Sequence, residues 1–335
     1  MDKADRTRRH GKELTMDAVL GIDIAKAKFD VALQFADGRV RRKSCANSPS
    51  GFAELSQWLT RQNAGHVHAC LEATGTYGEA LATWLHDAGH RVSVVNPMAI
   101  HAFAASKLSR TKTDRADAAL IAQFCATQQP AFWTPAPREL RELQALVRRL
   151  EALHDMRTQE TNRLASGVST PAVRRSITTV IDTLTDEIAA VHDQIRDHFT
   201  QHPGLRAQRD LLTTIPGIGE ATAAVLLAEL FDKQYRSARQ AAAFAGVVPR
   251  LQQSGTLHRR ARLSKIGPGR LRKALYFPAI AALRFNPTLQ AMRVRLRAAG
   301  KIPMVIIGAA MRKLIHIAYG VLKTQRAYDP MVARS

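Results

Sequence analysis

The sequence has very little cysteine. Cys45, Cys70 and Cys125 are the only three, an odd and widely spaced set with no CxxC pair. That excludes a disulfide framework and a zinc ribbon, and it fits a reducing compartment. An apolar leader is missing as well: the first fifteen residues are polar and basic, so no secretory signal is expected. Long hydrophobic runs are also absent. The longest, Ile302 to Ala310, is well short of the ~20 residues that a membrane span needs. There is no short-period repeat and no low-complexity tract. These absences predict a soluble cytoplasmic protein with no membrane partner.

The most informative absence is of acid. From Lys233 to Tyr328, 96 residues, there is no Asp or Glu, while 20 Lys and Arg fill the same stretch. Across all 335 residues there are 49 Lys+Arg against 28 Asp+Glu, a net charge of +21. The other 239 residues therefore carry 29 basic against 28 acidic groups and are nearly neutral. Like charge crowded into one segment is destabilising unless a polyanion relieves it, and inside a cell that polyanion is nucleic acid. A surface tuned only for solubility would spread its charge. The length fits two or three domains. A hydrophobic content of 46% is enough for ordinary cores, which excludes wholesale disorder.

Three regions follow a basic N-terminal extension, residues 1–16, in which Met16 is an alternative start. In residues 17–130, Asp17–Ile24, Phe29–Phe35 and Arg39–Ala46 read as three antiparallel strands. Ser48–Gln62 reads as a helix with Ser48 as its N-cap, followed by a strand (His66–Ala73), a helix (Tyr77–Ala88) and a strand (Arg91–Val95) ended by Asn96-Pro97. A helix over Thr113–Ala126 closes the region. Three antiparallel strands followed by alternating helix and strand is the order of an α/β RNase H-like domain. Residues 137–200 predict two coiled-coil helices. Leu143, Leu146, Leu150 and Leu153 form one seam, Ile177 to Ile195 the other, and Ala165–Pro171 is the turn. Such a pair serves as a dimerisation arm, a spacer or an internal core hairpin. Residues 208–328 read as mainly α-helical.

Asp23 stands inside the apolar strand LGIDIA and Glu72 in ACLEATG. A charge in such a setting is costly unless it binds something, and a metal ion is the usual resolution. Asp114 and Asp117, in KTDRADA, are i and i+3 and share a helix face. Hard oxygen ligands from two strands and a helix suit Mg²⁺ or Mn²⁺, and two such ions polarise both attacking and leaving oxygens in phosphodiester chemistry. Thr74-Gly75-Thr76 reads as a phosphate-contact turn. The opening GIDIAKAKFDVAL also fits the first hairpin of actin-like sugar kinases, but the glycine-rich nucleotide loops those enzymes need are missing.

IPGIG, at Ile215–Gly219 before a helix, is the hairpin signature of helix-hairpin-helix DNA binders. In that reading Gly217 and Gly219 let backbone N–H groups approach phosphates. Beyond it, Ser254-Gly255 sits in a loop flanked by Arg250, His258, Arg259, Arg260 and Arg262, with Lys265, Arg270, Arg272 and Lys273 following. A serine attacking phosphate needs cations around the phosphoryl oxygens, and these side chains supply them. Ser264 is a lesser candidate.

Taken in order, GIDIAKAKFDVAL, LEATGTY, VNP, KTDRADA, IPGIGEATAAVLLAEL, AFAGVVPRLQQSG and SKIGPGRLRKALY resemble the DEDD-type transposases, or recombinases, of the insertion-sequence-110 family. The resemblance runs from about Val19 to Asp329. It implies an N-terminal RuvC-like domain of RNase H-like fold, with the D-E-D-D metal set falling on Asp23, Glu72, Asp114 and Asp117. It implies a C-terminal transposase domain with a nucleophilic serine, which falls on Ser254. The expected reaction passes through a covalent 5′-phosphoserine. Its site is composite: carboxylates and Mg²⁺ come from one subunit, the serine from another. The expected partners are donor and target double-stranded DNA, a noncoding guide RNA that pairs with both, and three further copies of the chain in a dimer of dimers. The setting implied is the bacterial cytoplasm, at the nucleoid during activity. One departure is Gln252-Gln253, which stands where the family has an aromatic–acidic pair. Two other function classes remain. One is a metal-dependent, RuvC-like junction-resolving nuclease that uses water. The other is a catalytically silent nucleic-acid binder, which the complete carboxylate set argues against.

Overall fold

The computed structural model describes residues 18–73, 77–107, 114–167, 170–231, 233, 235–250, 253–254, 257–258 and 262–331; residues 114–116, 253–254 and 257–258 are described by their backbone alone. The chain divides into two compact units, up to Pro135 and from Ala136 onward.

The first unit is built on a five-stranded sheet. β1 (Ala18–Ile24), β2 (Lys28–Phe35) and β3 (Val40–Ala46) form an antiparallel meander. α1 (Pro49–Arg61) leads to β4 (His68–Glu72), and α2 (Glu79–Asp87) leads to β5 (Arg91–Val95). β4 pairs parallel to β1, and β5 parallel to β4, giving the order β3-β2-β1-β4-β5. This order is consistent with the RNase H-like arrangement that the sequence pattern predicts. α1 begins where expected: the Ser48 hydroxyl accepts the Gly51 N–H, and Pro49 occupies the first turn, where a missing N–H costs nothing. Phe52, Leu55 and Leu59 of α1 and Leu81 and Leu85 of α2 cover one face of the sheet, packing on Leu20, Phe29 and Leu33.

The other face is covered by α3 (Pro97–Ser106) and α4 (Asp114–Gln128). α3 lies where the sequence pattern marks a stop. Asn96-Pro97 ends β5 and also starts a helix, because the Asn96 side chain accepts the Met98 N–H and Pro97 has the φ of a first helical residue. α4 lies close on the sheet because its contact is made of small residues: Ala118 and Ala122 meet Ala32 and Gly21. A methyl group on Gly21 would stand 2.2 Å from Ala118 O and Ala122 N. The three cysteines are buried and free. A hydrogen bond with Cys70 and then burial push the Cys125 thiol up, so it is inert at physiological pH.

The second unit is helical. α5 (Arg138–Ala165) and α6 (Pro171–Gln201) form the predicted hairpin. Leu143, Val147, Leu153, Ile188, Val191 and Ile195 are buried in the core of the unit, whereas Met156, Val173 and Val180 are exposed. Of the three roles open to such a pair, the base of the hairpin is thus an internal core element. α7 (Pro203–Thr213), α8 (Glu220–Glu229) and α9 (Ala238–Phe244) follow. Four two-residue strands come next: β6 (Pro249–Arg250), β7 (Gln253–Ser254), β8 (Leu257–His258) and β9 (Arg262–Leu263). α10 (Gly269–Phe285), α11 (Pro287–Ala298) and α12 (Pro303–Thr324) complete the unit. α12 contains the run from Ile302 almost whole. Among the described residues it is the one helix long and apolar enough to cross a membrane by length and composition, and half of its apolar window is buried inside the protein.

Candidate functional site

The ladder between β1 and β4 sets Ile22 beside Leu71. Asp23 and Glu72, the next residues, therefore stand side by side where two parallel strands end, the position at which open α/β sheets bind ligands. Both are half-buried. By alternation they share the face of Gly21 and Cys70, the face that α3 and α4 cover. Asp117, also half-buried, directly precedes Ala118, the residue of α4 that meets Gly21. Asp114 opens the same helix, with its side chain outside the described residues. The structure thus brings Asp23, Glu72 and the α4 segment that carries Asp117 to one side of the sheet. Thr74-Gly75-Thr76 and residues 1–17 lie outside the described residues.

A further carboxylate belongs to this face. Asp30 on β2 is paired directly with Asp23 and is only 6% exposed. The Lys28 ammonium, 3.0 Å from Asp30 Oδ2, balances its charge. The argument applied to Asp23, an acid within an apolar strand, holds equally for Asp30 between Phe29 and Val31; that was the signal available in the sequence. All donors here are oxygens, and none of the described ones is a thiolate or imidazole. The set fits a hard divalent cation rather than a soft one.

The serine segment is a nested hairpin rather than the expected loop. Arg250 on β6 pairs with Arg262 on β9, and Ser254 on β7 pairs with Leu257 on β8. Ser254 therefore sits next to the tip. Its side chain and those of His258, Arg259 and Arg260 lie outside the described residues. The base of the hairpin is anchored to the helical core. The Ser264 N–H donates to Val248 O at 2.8 Å. A methyl on Gly267, at φ +128°, would stand 1.9 Å from Phe244 O, so only glycine fits there. A methyl on Gly308 of α12 would stand 3.3 Å from Leu263 Cδ1. Ser264 Oγ is enclosed, without a hydrogen-bond partner among the described residues, which leaves Ser254 as the serine near the hairpin tip.

The basic side chains divide into two groups. Arg250, Arg262 and Lys265 are exposed. The other three are engaged within the protein. Arg270 Nη1 donates to Glu229 Oε1 at 3.1 Å, and Arg148 donates to both oxygens of the same carboxylate, at 2.6 and 3.2 Å. Arg272 Nη1 donates to the Ala245 and Gly267 carbonyls. Lys273 donates to Asp155 at 2.5 Å, a contact that raises its pKa. These contacts join α5, α8 and α10 under the hairpin. The IPGIG turn is similarly divided. Gly217, at φ +104°, faces α10, where a methyl would stand 2.7 Å from Ala282 Cβ and 2.8 Å from Pro278 O. Gly219 caps α8 with open space around it.

Comparison with known proteins adds to this geometry. Residues 20–169 match the model of DEDD transposases of the IS110 type, described as a transposase. Residues 209–293 match the model described as the transposase IS116/IS110/IS902 family. The pilin gene-inverting protein of Moraxella bovis is 36% identical over 318 residues, covering 93% of this chain and 98% of that protein. The pilin gene-inverting protein of Moraxella lacunata is 35% identical over the same shares. The transposase for insertion sequence element IS1328 of Yersinia enterocolitica is 28% identical over 289 residues, 77% of this chain and 81% of its own.

Proposed function

Because the chain belongs to the IS110 family of transposases, enzymes that cleave and rejoin DNA, we propose that it exchanges DNA strands through Ser254 with help from divalent metal. Membership in a DEDD family implies dependence on a divalent cation. The observation that carries the reading is that Asp23 and Glu72 each follow the last residue of the β1–β4 register, with Asp117 on the helix that packs against Gly21.

Asp23, Glu72, Asp114 and Asp117 are the residues that would hold the metal, Mg²⁺ by donor chemistry and Mn²⁺ as its closest substitute. A bound cation supplies Lewis-acid stabilisation to oxygens of the scissile phosphate. The side chains of this protein do the rest. The Ser254 hydroxyl attacks phosphorus, the bond to the 3′-oxygen breaks, and the serine proton is balanced by the one the leaving 3′-hydroxyl gains. Attack by the 3′-hydroxyl of the exchanged strand then reverses the step and frees the serine. Arg250, Arg262 and Lys265 hold DNA phosphates beside the reacting one, joined by His258, Arg259 and Arg260. The open N-terminus of α8 at Gly219 offers backbone N–H groups to a further phosphate.

Residues 17–130 act as the RuvC-like domain, 137–200 as the helical linker and 208–328 as the transposase domain. A noncoding RNA that pairs with donor and target DNA chooses the sites. The working assembly is a tetramer in which one subunit's carboxylates serve another's serine, acting in the cytoplasm at the nucleoid. Likeness to proteins named for inverting a pilin gene supports a reaction that rejoins every end it opens.

The test is strand exchange by purified protein on donor and target DNA with its copurified RNA. Asp23→Ala should lower exchange in Mg²⁺ at least ~100-fold while DNA and RNA binding persist. Exchange at the normal rate would remove the carboxylates from the mechanism, and exchange unaffected by ribonuclease would remove the RNA.

A further inference from the structure

We propose that Glu142, His198 and His202 form a second metal site, of zinc type, that fastens the base of the α5–α6 hairpin. One ligand atom from each of the three lies within 4.8 Å of those of the other two. All three belong to the helical unit, and they combine nitrogen with oxygen donors, unlike the carboxylate face of the sheet. His198 and His202 are four apart at the end of α6, so they fall on one side of it, and their rings lie 4.3 Å apart. Glu142 comes from the first turns of α5.

The hydrogen bonds around the site set it up for a cation. His198 is buried, and its Nε2 is 2.8 Å from the Glu139 carbonyl. A carbonyl only accepts, so Nε2 is the donor, and in the neutral ring Nδ1 has the lone pair. His202 Nδ1 is 2.8 Å from the His198 carbonyl, which leaves the lone pair on Nε2. Each imidazole is thus held in one tautomer by a backbone carbonyl, the outer-shell arrangement that orients metal-binding histidines. Arg138 donates to Glu142 Oε1 at 2.7 Å, which leaves Oε2 for a cation.

Two imidazoles and one carboxylate suit Zn²⁺ and its late first-row neighbours, not Mg²⁺. Ligand atoms on a tetrahedral zinc are about 3.4 Å apart, given Zn–N distances of about 2.1 Å. Closing from 4.8 Å asks for movement chiefly of Glu142, a half-buried side chain, toward the two carbonyl-held imidazoles. Three protein ligands leave a fourth position for water. His202 is the residue at which α6 ends and α7 begins, so the metal would fix the bend that leads from the hairpin into the rest of the unit.

The experiment uses the full chain, stripped of metal and returned to excess Mg²⁺ so that the carboxylate face is saturated. Co²⁺ is then titrated and displaced with Zn²⁺. The expected result is a nitrogen-ligand Co²⁺ spectrum at one equivalent per chain, bleached by Zn²⁺, together with a raised melting temperature. Glu142→Gln and His202→Gln should each weaken Co²⁺ and Zn²⁺ binding by at least ~10-fold, with unchanged circular dichroism. Asp23→Ala should bind as the parent does, which separates this site from the carboxylate cluster. A parent chain without such a spectrum, or both variants binding as tightly as the parent, would overturn the proposal.

Discussion

At the scale of single residues, the buried polar groups of the first unit make its stability depend on pH. His68 is buried with its Nε2 2.7 Å from Ser93 Oγ, and Ser93 in turn donates to the Ala131 carbonyl. Burial, and then the Arg91 charge, hold His68 below the ordinary histidine value of 6.5. Burial followed by His66 does the same to His90. The unfolded chain therefore takes up protons below pH 6.5 that the native chain refuses. Stability is full above that pH and falls as acid is added, until the native histidines protonate too. Urea midpoints should fall between about pH 7 and about pH 5. The fall should be smaller in a His68→Gln, His90→Gln double variant. A midpoint independent of pH in the parent would contradict the assignment. Asp23 and Glu72 were legible in the sequence because an acid in an apolar strand is conspicuous. Asp30 meets the same criterion, and pairing in the sheet adds that it stands opposite Asp23. The pairing of Glu229 with Arg148 and Arg270 could not be read at all, since its members lie 81 and 41 residues away.

At the scale of elements, the proposed carboxylate site depends on how closely α4 approaches β1. That approach is set by Gly21, whose missing side chain admits the backbone of Ala118 and Ala122. Gly21→Ala should push α4 off the sheet, cost about 1–3 kcal/mol and reduce strand exchange, though no carboxylate is altered. Chemical denaturation and the exchange assay measure the two effects; a variant with parental stability and activity would show that α4 has room to spare. Most of this architecture was legible because apolar alternation in β1, β2, β4 and β5 and the seams of α5 and α6 are strong periodic signals. α3 was hidden because Asn96-Pro97 reads equally as an end and a beginning. The strands around Ser254 were hidden because two-residue pairs have no periodicity. In the IPGIG turn, the glycine pattern marked the bend but could not separate the roles of its members. Gly217 is required for packing on α10, whereas Gly219 leaves the α8 terminus open.

At the scale of the whole molecule, a part of the concentrated positive charge is met within the protein. Part of the acid-free stretch is balanced by acids outside it: Glu151, Asp155 and Glu229 pair with Arg270 and Lys273. Arg250, Arg262 and Lys265 are the exposed cations around the hairpin, and in the proposed reading they meet DNA; Arg295, Arg297 and Lys301 are further exposed cations of the same stretch. Arg250→Ala and Arg262→Ala should each lower the slope of log affinity against log salt by about 1. Arg272→Ala should leave the slope unchanged while lowering stability. The reverse pattern would move the interface from the hairpin to α10. The central claim is that Ser254 becomes joined to DNA, and the most direct measurement is the covalent protein–DNA adduct on denaturing gels, formed in Mg²⁺ with labelled donor DNA. The account predicts an adduct with the parent chain, none with Ser254→Ala, and an undiminished adduct with Ser264→Ala. An adduct that survives Ser254→Ala would place the nucleophile elsewhere, and cleavage without any adduct would mean that water, not serine, attacks the phosphate.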